Sequence, residues 1–182
     1  MKLCVVMIAG AALACGGVFQ AQKAAPVVGI ETRADNPLSG EIKQAYQSVK
    51  NNIIKSAQEM PEENYSFKPT PGIRSFAEVL GHVAESQMRT CSAFTGTQKS
   101  MDATSKTSKA DLVAALQEAF SECDKAYDTV TDADAANMIK TPRGQRTKLG
   151  ALVGNAIHDT EQYGILTVYL RLKGLVPPSS RR

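Results

Sequence analysis

An all-α four-helix bundle is the fold class this sequence predicts, and three observations predict it. Four stretches between residues 37 and 172 carry apolar side chains at steps of three and four, the repeat of a helix with one inward face. Capping residues or a proline stand at their starts, and Pro or Gly closes three of them. No alternating run long enough for a core strand interrupts the series.

The first segment opens at Asn36-Pro37, a cap residue followed by the proline that a first helical turn tolerates. Leu38, Ile42, Tyr46, Val49, Ile53 and Ala57 form its stripe, and Met60-Pro61 ends it. The second follows "NYSFKPTPGIRS", whose Pro69, Pro71 and Gly72 forbid a regular element. Ser75 and Glu78 make an S-x-x-E capping box, and Phe76, Val79, Leu80, Val83, Gln87, Thr90 and Phe94 line one face up to Gly96. The third opens at Ser108 with Asp111 three residues on, and its inner face is Leu112, Leu116, Phe120, Cys123, Tyr127 and Val130. The fourth begins near Thr147 and carries Leu149, Leu152, Ala156, Ile165, Leu166, Tyr169, Leu170 and Leu172. Gly174 is its natural stop, with Pro177-Pro178 behind it. A short hairpin around Pro142-Arg143-Gly144 fits between the last two helices.

Residues 1–21 read as a signal peptide, 22–36 as a linker and 37–182 as the folded domain. "MKLCVVMIAGAALACGGVF" has one positive charge and then an apolar run too short and glycine-rich for a membrane span. Cleavage after Ala21 is expected, so the mature domain is exported, periplasmic or secreted, and has no membrane span. "ALAC" offers lipidation of Cys15 as the alternative, although Ala12 stands where such signals carry a branched apolar residue. Without Lys2 the chain keeps 20 basic and 18 acidic side chains, with no basic patch interleaved with aromatics. Nucleic acid is therefore not an expected partner.

The two histidines, His82 and His158, fall in segments two and four. His158, Gln162, Ile165, Tyr169 and Leu172 recur at steps of four and three, which predicts an inward row starting at His158. His82 lies between Val79 and Ser86 on a similar row. Two imidazoles edging one core can meet across it, and a bundle interior is where facing helices build metal sites. Each also has a carboxylate three residues later, Glu85 and Glu161. No Ser–His–acid set or glycine-rich phosphate loop is recognisable, since Gly144 and Gly150 stand alone.

Arg74–Ser86 ("RSFAEVLGHVAES"), preceded by "SFKPTPG", and His158–Ser179 ("HDTEQYG…YLRLKGLVPPS") resemble the DinB-like (YfiT-like) family over nearly all of the chain from residue 37. The resemblance implies a bundle with up-down-down-up connections. It also implies three histidines around a divalent metal, zinc or nickel. His82 and His158 match the first two, and the third falls on Gln162. An amide oxygen is a weak ligand for such a metal, so the expected set is His82, His158 and Gln162, with Glu85 and Glu161 as alternates. Tyr163 and Tyr169 are further candidate polar contacts.

The domain keeps two cysteines, Cys91 and Cys123, and an exported protein meets oxidising conditions. With helices two and three parallel, as the resemblance implies, both lie toward one end of the bundle and a disulfide between them is expected. The functional expectation is an exported domain that binds a divalent metal or a small molecule through this degenerate His/His/Gln site. The alternatives are a metal-dependent thiol transferase-like enzyme, as some relatives are, or a non-catalytic interaction bundle that has lost the metal. A homodimer is compatible with any of these.

Overall fold

A computed structural model describes residues 36–141 and 144–181, so the signal-peptide assignment, Cys15 and nearly all of the linker lie outside the described residues. Four helices dominate: α1 (Pro37–Glu59), α2 (Phe76–Cys91), α3 (Lys109–Thr129) and α4 (Lys148–Leu172). Strands β1 (Met138–Thr141) and β2 (Gly144–Thr147) form the expected hairpin before α4, antiparallel, with Met138 opposite Thr147 and Thr141 opposite Gly144. Short 3-10 turns follow α1 (Glu62–Asn64), α2 (Ser92–Thr95) and α4 (Pro178–Ser180).

The helix ends are largely those that local chemistry dictates. Ser75 accepts from the Glu78 backbone N–H while the Glu78 carboxylate accepts from that of Ser75, a reciprocal capping box. Ser108 and Thr147 cap α3 and α4 through the backbone N–H of Asp111 and Gly150. Gly174, at φ 74°, closes α4: its N–H bonds Arg171 and that of Leu175 bonds Leu170, a Schellman arrangement. The start of α1 differs from expectation. Asn36 does not cap it; the Asp132 carboxylate, from the loop after α3, accepts from the backbone N–H of Leu38 and Ser39. The Asn36 side chain in turn accepts from the Asp132 N–H. Two chain segments more than 90 residues apart thus clasp each other at one end of the bundle.

Helix directions follow from who meets whom. Tyr46 of α1 hydrogen-bonds Phe120 and Asp124 of α3 and stacks on Tyr127, while Ser39 reaches Asp132, so α1 and α3 are antiparallel. Lys109, at the start of α3, bonds Met60 at the end of α1. Tyr169, near the end of α4, donates to the Arg74 carbonyl just before α2, so α2 and α4 are antiparallel as well. The order is up-down-down-up. Parallel neighbours α2 and α3 require a return crossover, and residues 96–107 supply it.

That crossover is pinned to α2 at two points. The Glu85 carboxylate accepts from the backbone N–H groups of Ala103 and Thr104 and from the Thr104 hydroxyl. Gly81 allows the close approach, because a Cβ there would stand 2.6 Å from the Ala103 carbonyl oxygen. The core between the helices is filled by Tyr46, Ile53, Tyr65, Phe76, Leu80, Leu116, Phe120 and Leu166, all essentially inaccessible.

The orientation of α4 corrects part of the expected row. Ile165 and Leu172 are exposed, and the buried face centres on Leu152, Ala156, Asp159, Tyr163, Leu166 and Leu170, also at steps of four and three. Leu38, expected inward on α1, is exposed as well. Cys91 and Cys123 stand at bonding distance with Cα atoms 4.8 Å apart, joining α2 to α3. No helix among the described residues is long and apolar enough to cross a membrane.

Candidate functional site in the α2–α4 seam

His82 comes from the middle of α2 and His158 from the middle of α4. Because these helices are antiparallel neighbours, the two rings meet across the seam: the Nε2 atoms are 3.1 Å apart and the centroids 5.2 Å, with the planes at 65°. Neither ring is on the open surface, and the His158 side chain is 13% exposed. Burial holds His82 below its ordinary pKa, assisted by Arg74, His158 and Arg89. A neutral imidazole is the form that can accept a hydrogen bond or ligate a metal.

Gln162 lies one helical turn beyond His158 and is 5% exposed. Its Oε1 is buried without a hydrogen-bond partner among the described residues. The other expected donors are placed elsewhere. Glu85 is engaged by the crossover through Ala103 and Thr104, and Glu161 is exposed. Among the described residues no group of three or more His, Cys, Asp and Glu side chains is arranged to hold a metal, so neither carboxylate completes the histidine pair. Tyr163 bonds the Ser179 hydroxyl at 2.8 Å and Tyr169 bonds the Arg74 carbonyl, so both tyrosines tie down chain segments.

The residue that sequence reasoning missed is Asp159, fully buried next to His158. Its Oδ1 accepts from the Gln87 side-chain amide, and Oδ2 has no partner among the described residues. Burial pushes its carboxyl up to about 6, and His158 pulls in the opposite direction. His158 Nδ1 stands 3.6 Å from Oδ1, too long for a hydrogen bond, and is buried without a partner among the described residues. The signal was available, since Asp159 sits on the row Leu152–Ala156–Asp159–Tyr163–Leu166–Leu170. The Gln87 oxygen lies 2.9 Å from Cys123 Sγ, so the aspartate and the cysteine pair share one buried neighbour.

Space opens on both sides of the histidines. Toward the start of α2 a groove of about 630 Å³ is bounded by Arg74, Val79, Gln162, Ile165 and Tyr169. Toward its end a smaller cavity of about 50 Å³ reaches His158. Gln162 borders the groove and His158 borders the cavity, so the two spaces flank the seam from opposite ends.

Comparison with known proteins agrees with this architecture. A DinB-like protein from Bacillus cereus ATCC 10987 superposes with a TM-score of 0.63 at 18% identity, covering 75% of this chain and 93% of its own. A conserved protein from Enterococcus faecalis gives a TM-score of 0.57 at 13% identity, covering 72% of this chain and 94% of its own. At these identities the likeness is one of fold. No curated protein matches the chain at a significant level. The DinB superfamily model matches residues 45–166, which contain α2, α3, both histidines and most of α1 and α4. The chain therefore belongs to the DinB superfamily.

Proposed function

We propose that this is an exported binding domain that holds a divalent cation, zinc or nickel, or a small molecule carried with it, in the α2–α4 seam. His82 and His158 are the principal donors, and Gln162 Oε1 is the weak third. One observation carries the reading: two Nε2 atoms from different helices converge to 3.1 Å. At a metal–nitrogen distance of about 2.0–2.1 Å, ligand angles of roughly 90–109° put two nitrogens about 2.9–3.4 Å apart. The donor set fits a divalent ion held by two imidazoles, and the buried, unpartnered Gln162 oxygen supports it. Such an ion would supply positive charge and open coordination positions for a ligand in the adjoining groove.

The same 3.1 Å also suits a direct hydrogen bond between two neutral imidazoles, which is the structural alternative. Calorimetric titration of chelator-treated protein with zinc and with nickel separates the two. Saturable binding near one equivalent, abolished in His82→Ala/His158→Ala, is expected. No binding tighter than about millimolar, or binding unchanged in that variant, overturns the proposal.

Export is supported by the leader-like residues 1–21 and by the paired cysteines, which suit an oxidising compartment. Mass analysis of the mature protein tests it. A free chain beginning near Gln22 is expected, and an intact Met1 start would refute export by cleavage.

A further inference from the structure

The small cavity at the far end of the seam has a chemistry of its own. Arg89 and Thr90 reach it from the last turn of α2, Arg146 from β2, Ser86 from inside α2, and Asn155 and His158 from α4. Among the described residues two guanidinium groups line it and no carboxylate does. Ordinary surface arginines find acidic partners, but the ion pairs of this domain use other side chains at this end. Arg89 makes no hydrogen bond or ion pair among the described residues.

The polar groups deeper in the wall are donors left without acceptors. Ser86 is 4% exposed and its hydroxyl has no partner among the described residues. Asn155, also 4% exposed, commits its Oδ1 to the Tyr127 hydroxyl at 3.0 Å, which leaves its N–H groups available. Neither donor atom is a buried orphan among the described residues, so both are open to an acceptor entering the cavity.

Arg146 is held in place for this role. Its Nη2 donates to the Gly150 carbonyl at 2.9 Å, and the guanidinium lies against the first turns of α4. The group also lies over Gly154, where a Cβ would stand at ordinary contact distance, 3.6 Å from Nη2 and 3.9 Å from Nη1. One edge of the fork is anchored and the remainder is available to a ligand.

We propose that this cavity binds a compact oxyanion, a carboxylate or a phosphate group, through Arg89, Arg146, Ser86 and Asn155. Planar guanidinium forks and neutral donors with no competing carboxylate are what such a group requires. A volume of about 50 Å³ suits one oxyanion rather than a larger anion. His158 borders the cavity, so the anionic group of a ligand lies beside whatever is held at the histidine pair; this adjacency rests on the function proposed above. The substrate class is then a small molecule with an acidic end, its remainder extending along the seam.

Calorimetry on chelator-treated protein at low ionic strength, with inorganic phosphate and separately with acetate, tests the site without any metal. At least one of the two anions binds at about one equivalent, and whichever binds more tightly identifies the group. Arg89→Gln and Arg146→Gln each weaken that binding by about tenfold or more. The titration contains no metal, so failure of the cation proposal and failure of this one are distinguishable. Arg146→Lys, which keeps the charge and loses the fork, gives an intermediate loss and guards against a folding defect in the glutamine variant. Absence of binding of either anion up to about 20 mM, or unchanged binding in Arg89→Gln/Arg146→Gln with wild-type melting behaviour, overturns the proposal.

Discussion

His82 Nε2 and His158 Nε2 face each other at 3.1 Å from opposite sides of the α2–α4 seam, and Gln162 follows one turn later with a buried, unpartnered oxygen. If Gln162 occupies the position of a third donor, replacing its amide by an imidazole should raise zinc affinity sharply. Gln162→His is expected to bind zinc about 100-fold or more tightly than the native chain. Competition with a chromophoric chelator measures this, and equal affinity in the two proteins removes Gln162 from the site.

The cysteine pair should account for a large share of the domain's stability. Cys91 and Cys123 are 32 residues apart in sequence, and closing a loop of that length is worth roughly 3–4 kcal/mol in the chain-entropy description. Cys91→Ala/Cys123→Ala should lose about that much in urea unfolding. Thiol titration of denatured, unreduced mature protein should find no free thiol; two would show the pair unbonded.

Gly81 and Gly40 are both helical, yet their surroundings predict opposite outcomes. An alanine Cβ at Gly81 would meet backbone atoms of Ala103 and Thr104 at 2.6–2.9 Å, and backbone cannot yield as a flexible side chain does. Gly81→Ala should destabilise by about 1–3 kcal/mol and speed amide exchange around residues 103 and 104. At Gly40 nothing lies within 4 Å, so Gly40→Ala should stabilise by about 0.5–1 kcal/mol. A similar sign for both would contradict the crossover's position.

Acid should weaken the two helix starts held by carboxylates. The Ser75 N–H and Lys68 hold Glu78 down at about 2, and the Ser39 and Leu38 N–H groups hold Asp132 below its usual range. Both pKa values are depressed on folding, so their stabilisation is complete above about pH 4.5 and declines as pH falls toward 2. Urea midpoints at pH 7, 4.5 and 2.5 should show that decline, and Glu78→Gln/Asp132→Asn should flatten it. An identical acid profile in the variant would assign the loss to other groups.

Local rules read most of this fold correctly because most of its boundaries are local. Ser75 with Glu78, Ser108, Thr147 and Gly174 each act within a few residues of themselves. What escaped the sequence is long-range. Asp132 replaces Asn36 as the cap of α1, and Glu85 serves the crossover rather than the histidines. Part of the inner face of α4 escaped for another reason. Leu152, Ala156, Leu166, Tyr169 and Leu170 are buried as expected, but Ile165 and Leu172 are apolar and exposed while Asp159 and Asn155 are polar and buried, so hydropathy misplaces the edges of the inner face. Asn155 and Asp159 are buried because they bond Tyr127 and Gln87 across the core, and such pairing across helices leaves no trace in hydropathy.

The covalent link between Cys91 and Cys123 leaves the two walls of the seam mechanically unequal. α2, with His82, is bonded covalently to α3 and backed by the crossover. α4, with His158, meets it through non-covalent contacts alone. Of the two facing imidazoles, His82 therefore stands on the wall that the covalent link braces.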